Sequence, residues 1–151
     1  MFEHLSIRAQ KALDHAKALA YEFNQDYVGT EHVLLGIMKE GRGMGATVLK
    51  DHGITYERLE AAIRKLVQAH MEDTWVFGRL PGTPHLMNVV ARAIEEAQAL
   101  KHNYVGTEHL LLGLMDERGS VACTVLSDMG LRHDTIRERI HQRARERKEQ
   151  R

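Results

Sequence analysis

The 151 residues carry 21 Lys and Arg against 21 Asp and Glu, a formal net charge of zero, and 43% of them are hydrophobic. That balance excludes a globally basic nucleic-acid binder and a charge-held membrane-surface protein, and it leaves enough apolar side chain to bury a core in one compact domain or two small, mutually packed ones. A lone cysteine, Cys123, excludes an intrachain disulfide. No apolar run approaches the roughly 18 residues of a membrane span, and Met1–His4 lack the pattern of a signal peptide, so a cytoplasmic chain is expected.

In chain order, Ser6 is placed to N-cap a first helix running through about Phe23. A short loop leads to Thr30, read as the cap of a second helix. Its Val33-Leu34-Leu35 and Ile37-Met38 are apolar around much of the circumference, as a buried central helix requires. Glycines 41, 43 and 45 introduce a short third helix that ends before Gly53, a helix C′ position. Thr55 heads a fourth, with Leu59, Ile63 and Leu66 at helical spacing. The segment from about 70 to 82 reads as a linker whose Trp75 and Phe77 pack back onto the helices.

The cycle then recurs. Thr83, with Pro84 at the first helical position where a missing N–H costs nothing, begins a fifth helix. Thr107 caps a sixth, carrying Leu110-Leu111-Leu112 and Leu114-Met115. Gly119 precedes a short seventh that ends before Gly130 and holds Cys123 as a small core residue. Asp134 heads the eighth, with Ile136 and Ile140 on its apolar side. The Arg-rich stretch from Arg137 onward reads as the solvated end of this helix, with nucleic-acid docking the minority reading. No stretch alternates as a strand.

The recurrence is a duplication. Tyr27-Val28-Gly29-Thr30-Glu31-His32-Val33-Leu34-Leu35-Gly36 returns 77 residues later as Tyr104-Val105-Gly106-Thr107-Glu108-His109-Leu110-Leu111-Leu112-Gly113, identical at nine of ten positions. The same offset maps Ala16 and Ala20 to Ala93 and Ala97, Thr47-Val48-Leu49 to Thr124-Val125-Leu126, Gly53 to Gly130 and Ile63 to Ile140. The expected architecture is all-α: two pseudo-symmetric four-helix repeats, about 2–69 and about 83–145, with a basic tail 146–151, packed into one domain over 1–151.

Catalytic signatures are missing. There is no P-loop, Cys123 has no base partner, and none of the ten histidines forms the His-x-x-x-His pair of a zincin helix. His32 and His109, the only histidines related by the repeat, read as capping-region or half-buried residues rather than metal ligands. The expectation is a non-catalytic binding domain with neither cofactor nor metal. The repeated Glu31 and Glu108 admit two readings. A first-turn carboxylate is favoured by the helix macrodipole, by about 0.3–1 kcal/mol. Alternatively, it accepts a guanidinium, while a neighbouring helix start, with the hydroxyl of Ser6 or Thr83, receives an anion. Two weak sites on one peptide would then gain avidity.

Met1-Phe2-Glu3, Arg8-Ala9-Gln10-Lys11, both Gly-Thr-Glu-His-x-Leu-Leu-Gly segments and Thr83-Pro84 resemble the double Clp-N repeat, the N-terminal domain of ClpC-type Clp unfoldases, over nearly the whole chain. That resemblance implies a domain that receives protein substrates, unfolded or arginine-phosphorylated, and adaptor proteins for the Clp unfoldase and protease. It implies Glu31 and Glu108 as guanidinium acceptors and Ser6 and Thr83 as phosphate neighbours. In related actinobacterial domains the N-terminal surface, including the position of Phe2, binds antibacterial cyclic peptides. The alternative is a stand-alone accessory or decoy subunit that docks on the Clp machine without binding substrate itself. Two departures stand out. Gly41-Arg42-Gly43 and Arg118-Gly119-Ser120 lack the family's acidic residue, and His85-Leu86 follow Thr83-Pro84 where the family tends to have Arg-Ala. The second departure removes a permanent charge near one expected phosphate position.

Overall fold

A computed structural model describes residues 5–23, 25, 27–73 and 83–149, without the side chains of 68–73 and 148–149. Among the described residues the protein is all-α. The helices are α1 Ile7–Glu22, α2 Thr30–Glu40, α3 Met44–Asp51, α4 Tyr56–Asp73, α5 Pro84–Ala99, α6 Thr107–Asp116, α7 Val121–Asp128 and α8 His133–Glu149. The aromatics Trp75 and Phe77 lie outside the described residues.

Most boundaries follow from capping. Ser6 Oγ accepts the Ala9 N–H at 3.1 Å and Thr83 Oγ1 the Leu86 N–H at 3.2 Å, so both first helices start on a hydroxyl cap. Thr55 Oγ1 does the same for Arg58 at 3.2 Å. Gly53 and Gly130, with φ of 77° and 83°, follow the caps of α3 and α7 in the left-handed conformation that glycine tolerates best. Asp134 does not cap α8: the helix begins one residue earlier, with the Ile136 N–H bonded to the Arg132 carbonyl, and Asp134 sits in the first turn.

Thr30 and Thr107 are also not caps of their own helices. The N-caps are Gly29 and Gly106, and the threonines are the first helical residues. His32 and His109 reach back instead, each Nδ1 accepting the N-cap N–H, at 2.9 Å from Gly29 and 2.8 Å from Gly106. This is the return arm of a capping box with imidazole in place of carboxylate. The displaced hydroxyls serve the opposite repeat. Thr30 Oγ1 accepts the Ala122 N–H of α7 at 3.2 Å, and Thr107 Oγ1 accepts the Gly45 N–H of α3 at 2.9 Å.

The repeats therefore interlock around one core. α2 and α6 are its axis, with Leu34, Leu35, Ile37, Leu110, Leu111, Leu112 and Leu114 wholly buried. Burying each such side chain contributes about 1.5–3 kcal/mol. α1 packs on α2 and α5 on α6, while α3 crosses to α6 and α8, and α7 to α2 and α4. Asp51 of α3 clasps α8, accepting from Arg139 Nε at 2.9 Å and from Arg143 Nη2 and Nε at 2.6 and 2.9 Å. The Arg143 hydrogen bonds outweigh burial, which pushes the other way, and with those of Arg139 hold its carboxyl below the usual range.

The α1–α2 contact depends on small residues. Ala9, Ala12 and Ala16 are wholly buried, and a Cβ at Gly36 would overlap the Ala12 carbonyl oxygen. In the second repeat a Cβ at Gly113 would stand 2.6 Å from the Val89 carbonyl. Because backbone must move, Gly36→Ala is expected to cost about 1–3 kcal/mol despite the better helix propensity of alanine. Calorimetry would register this as a fall in melting temperature, and an unchanged or raised value would refute the close approach.

Candidate binding site

The interlocking sets the site. The Ser6 N–H donates to the Val105 carbonyl at 2.9 Å, and Leu5 forms a parallel bridge with Val105. This fixes the start of α1 against the loop entering α6. In the pseudo-symmetric position the Thr83 N–H donates to the Val28 carbonyl at 3.1 Å, fixing the start of α5 against the loop entering α2. The expected anion-binding and guanidinium-binding halves thus pair across the repeats. Ser6 of the first repeat meets Glu108 of the second, and Thr83 of the second faces the Glu31 end of α2.

At the first of these seams lies a cleft of about 260 Å³ bordered by Ser6, Arg8, Tyr104, Glu108 and Arg147, with Ile7 and Met44 supplying apolar wall. Groups of both signs border it. On the donor side are the start of α1, whose first N–H groups lack intrahelical acceptors, the Ser6 hydroxyl, which keeps a hydrogen to donate, and the guanidinium of half-exposed Arg8. Arg8 is braced by Glu40 at 3.1 Å. Burial pushes the Glu40 carboxyl up, but hydrogen bonds from Gly43, Arg8 and Arg42 outweigh it and hold the group ionised below its ordinary range. The acceptor is Glu108, 5% exposed, with its carboxylate folded so tightly over Gly106 that a Cβ there would overlap its Oε1, and with Arg147 close enough to act on the adjacent Tyr104. The Tyr104 hydroxyl donates to Glu108 Oε2 at 3.2 Å. Burial first, then the Glu108 charge and this hydrogen bond, push the Tyr104 phenol up to about 12.

Glu31 repeats the arrangement at the other seam. It is 4% exposed and folds over Gly29, where a Cβ would overlap its Oε1. The anion side of this seam differs from the first. The 77-residue offset puts His85 at the place of Arg8, and His85 Nδ1 stands 3.4 Å from Glu117 Oε2, the counterpart of Glu40. Arg92 Nε lies 3.6 Å from Glu117 Oε1.

Ser6, Thr83, Glu31 and Glu108 were readable as candidates, but their cleft neighbours Tyr104 and Arg147 and the crossed pairing were not anticipated. Tyr104 was visible as a repeated residue. Arg147, part of the charged tail, carried no signal that it turns into the cleft. Phe2, on which the cyclic-peptide expectation rests, lies outside the described residues.

This geometry defines a duplicated all-helical domain with a polar, two-signed cleft at the seam between its repeats. The Clp repeat (R) N-terminal domain model matches residues 4–79 and 81–151, and the chain belongs to that family. The ATP-binding subunits ClpC of Staphylococcus saprophyticus and Staphylococcus aureus are each 41% identical over 131 residues, covering 87% of this chain and 16% of theirs. The chain thus spans a minor part of the length of these relatives. Among solved structures, the N-terminal domain of ClpD from Arabidopsis thaliana superposes with a TM-score of 0.73 at 22% identity, covering 95% of this chain and 99% of that one. The Hsp104 N-terminal domain from Candida albicans gives 0.64 at 19% identity over 91% and 87%. At such identities the likeness concerns the fold. No helix of the described residues is long and apolar enough to cross a membrane.

Proposed function

We propose that this domain is a recognition module that presents protein substrates and adaptors to a cytoplasmic Clp unfoldase, and that its seam cleft takes a phosphorylated arginine side chain. The observation that carries this reading is the two-signed cleft. A phosphoarginine has a guanidinium end that a carboxylate receives and a phosphoryl end that a helix start and cations receive. Glu108 supplies the carboxylate, and Ser6, the start of α1, Arg8 and Arg147 supply hydroxyl, N–H and cationic groups around the same cleft. Neither free arginine nor inorganic phosphate satisfies both ends.

The test is a titration of the labelled domain with phosphoarginine, arginine and phosphate, following amide shifts. Phosphoarginine is expected to move Ser6, Arg8 and Glu108 at concentrations where the other two leave them in place. The Thr83–Glu31 seam should respond more weakly, because an imidazole, His85, stands where Arg8 carries the permanent charge and planar fork of a guanidinium. Phosphoarginine shifts that avoid Ser6, Arg8 and Glu108, or that arginine or phosphate alone reproduces, would overturn the reading.

A further inference from the structure

Glu96, Asp116 and His133 converge from α5, the end of α6 and the start of α8, away from either seam. His133 Nε2 lies 2.8 Å from Glu96 Oε1 and 3.5 Å from Asp116 Oδ2, and one ligand atom from each residue falls within 4.8 Å of the other two. Glu96 is only 8% exposed, yet its second oxygen, Oε2, accepts no hydrogen bond; Arg137 Nη2 stands 3.3 Å away as an ion-pair partner. On the far side of the imidazole, Asp134 Oδ1 lies 3.7 Å from Nδ1.

The fold does not demand this cluster. The 77-residue offset places Leu19, Lys39 and Tyr56 at the same three positions of the first repeat, where Leu19 is part of the apolar core. In the second repeat a buried carboxylate has been gathered with another around one ring nitrogen. Such an arrangement is costly unless cationic charge stands among the oxygens, and Arg137 is paired with Glu96 Oε2 rather than with Oε1 and Asp116 Oδ2, which face the ring.

The geometry points to a divalent transition-metal site, zinc above all, with Glu96, Asp116 and His133 Nε2 as ligands. Zinc binds nitrogen and carboxylate oxygen at about 2.0–2.2 Å, so tetrahedral ligands stand about 3.4 Å apart. The Asp116–His133 separation already matches that edge, and the Glu96–His133 pair has to open by about half an ångström. The fourth position is left to water. A mixed imidazole and carboxylate set suits zinc better than magnesium or calcium, which take oxygen ligands. Asp134 and Arg137 act as outer partners, the first orienting the imidazole through Nδ1 and the second holding the Glu96 carboxylate. The ion ties down the start of α8, the helix that carries Arg147 into the seam cleft.

Zinc chloride titrated into the chelator-stripped chain tests the site, with calorimetry giving stoichiometry and nitrogen-15 spectra following the imidazoles. One equivalent is expected to bind with the perturbation centred on His133, and to raise the melting temperature by mass action. Asp116→Asn, at a partly exposed helix end, should keep the zinc-free melting temperature and weaken binding about tenfold or more. His133→Gln should abolish the bound equivalent, and it serves as the second variant should Asp116→Asn misfold. Zinc that leaves the His133 ring unmoved, that binds both variants as it binds the parent chain, or that does not bind at all would overturn the assignment.

Discussion

Lowering the pH from 7.5 to 4.5 is expected to remove about 5 kcal/mol of folding stability, through two buried histidines. His32 and His109 are wholly buried, and each Nδ1 accepts a backbone N–H, which a protonated ring nitrogen cannot do. Burial holds their pKa values at about 4 and about 3, the latter lowered further by His102. Little around them offsets this. His32 faces the rings of Phe23 and Tyr27, with Glu31 Oε1 at 3.8 Å, and His109 faces Tyr104 and His102, whose Nδ1 lies 2.8 Å from His109 Nε2. Above about 6.5 both residues are neutral in the folded and unfolded chains, and the stability is fully present. Below that, the unfolded chain takes up two protons that the folded one refuses until the pH falls through the folded values. Each histidine contributes a loss of about 2–3 kcal/mol by pH 4.5. Urea unfolding across this range should show stability falling by up to about 2.7 kcal/mol per pH unit, the slope for two protons. A flat profile between 6.5 and 4.5 would show that the rings are protonated inside the fold.

The same histidines show what the sequence could and could not convey. The helices, their apolar faces and the duplication were legible because they are written locally, in caps, glycines and apolar spacing. A threonine ahead of an apolar run reads as a cap for that run, yet Thr30 and Thr107 sit one residue too far inside. Their hydroxyls find acceptor roles across the interface, on Ala122 and Gly45. That outcome depends on which repeat packs where, and no local pattern encodes it. The same holds for the site. Ser6 and Glu108 are 102 positions apart in sequence and come together only because Val105 accepts the Ser6 N–H. Arg147 belongs to a run that periodicity assigns to solvent, and only the crossing of α8 over the first repeat, clasped at Asp51, brings it to the cleft rim. Fold class was legible from one repeat at a time; the candidate site needed both.

Glu108→Ala is expected to weaken phosphoarginine binding at the seam cleft by about 2–5 kcal/mol, roughly 30-fold or more, the usual consequence of truncating one partner of a buried charge pair. Both glutamates also have a structural part to play, which sets the discriminating measurement. Glu108 lies in the first turn of α6, folds over Gly106 and accepts the Tyr104 hydroxyl. Losing the dipole and hydrogen-bond contributions costs about 1 kcal/mol, or about 2–4 °C in a chain of this size. Glu108→Gln keeps the shape and an acceptor for Tyr104 while removing the charge, so it should bind nearly as poorly as the alanine variant and melt nearly like the parent chain. Glu31→Ala should leave the Ser6 and Arg8 shifts in place, since Glu31 serves the other seam, and the double variant Glu31→Ala, Glu108→Ala should bind no phosphoarginine at either. The assignment of these carboxylates as guanidinium acceptors fails if Glu108→Gln binds like the parent chain. If instead the double variant melts far below the few degrees expected, by about 10 °C or more, Glu31 and Glu108 are chiefly parts of the helix starts, and their repetition reflects the needs of the fold.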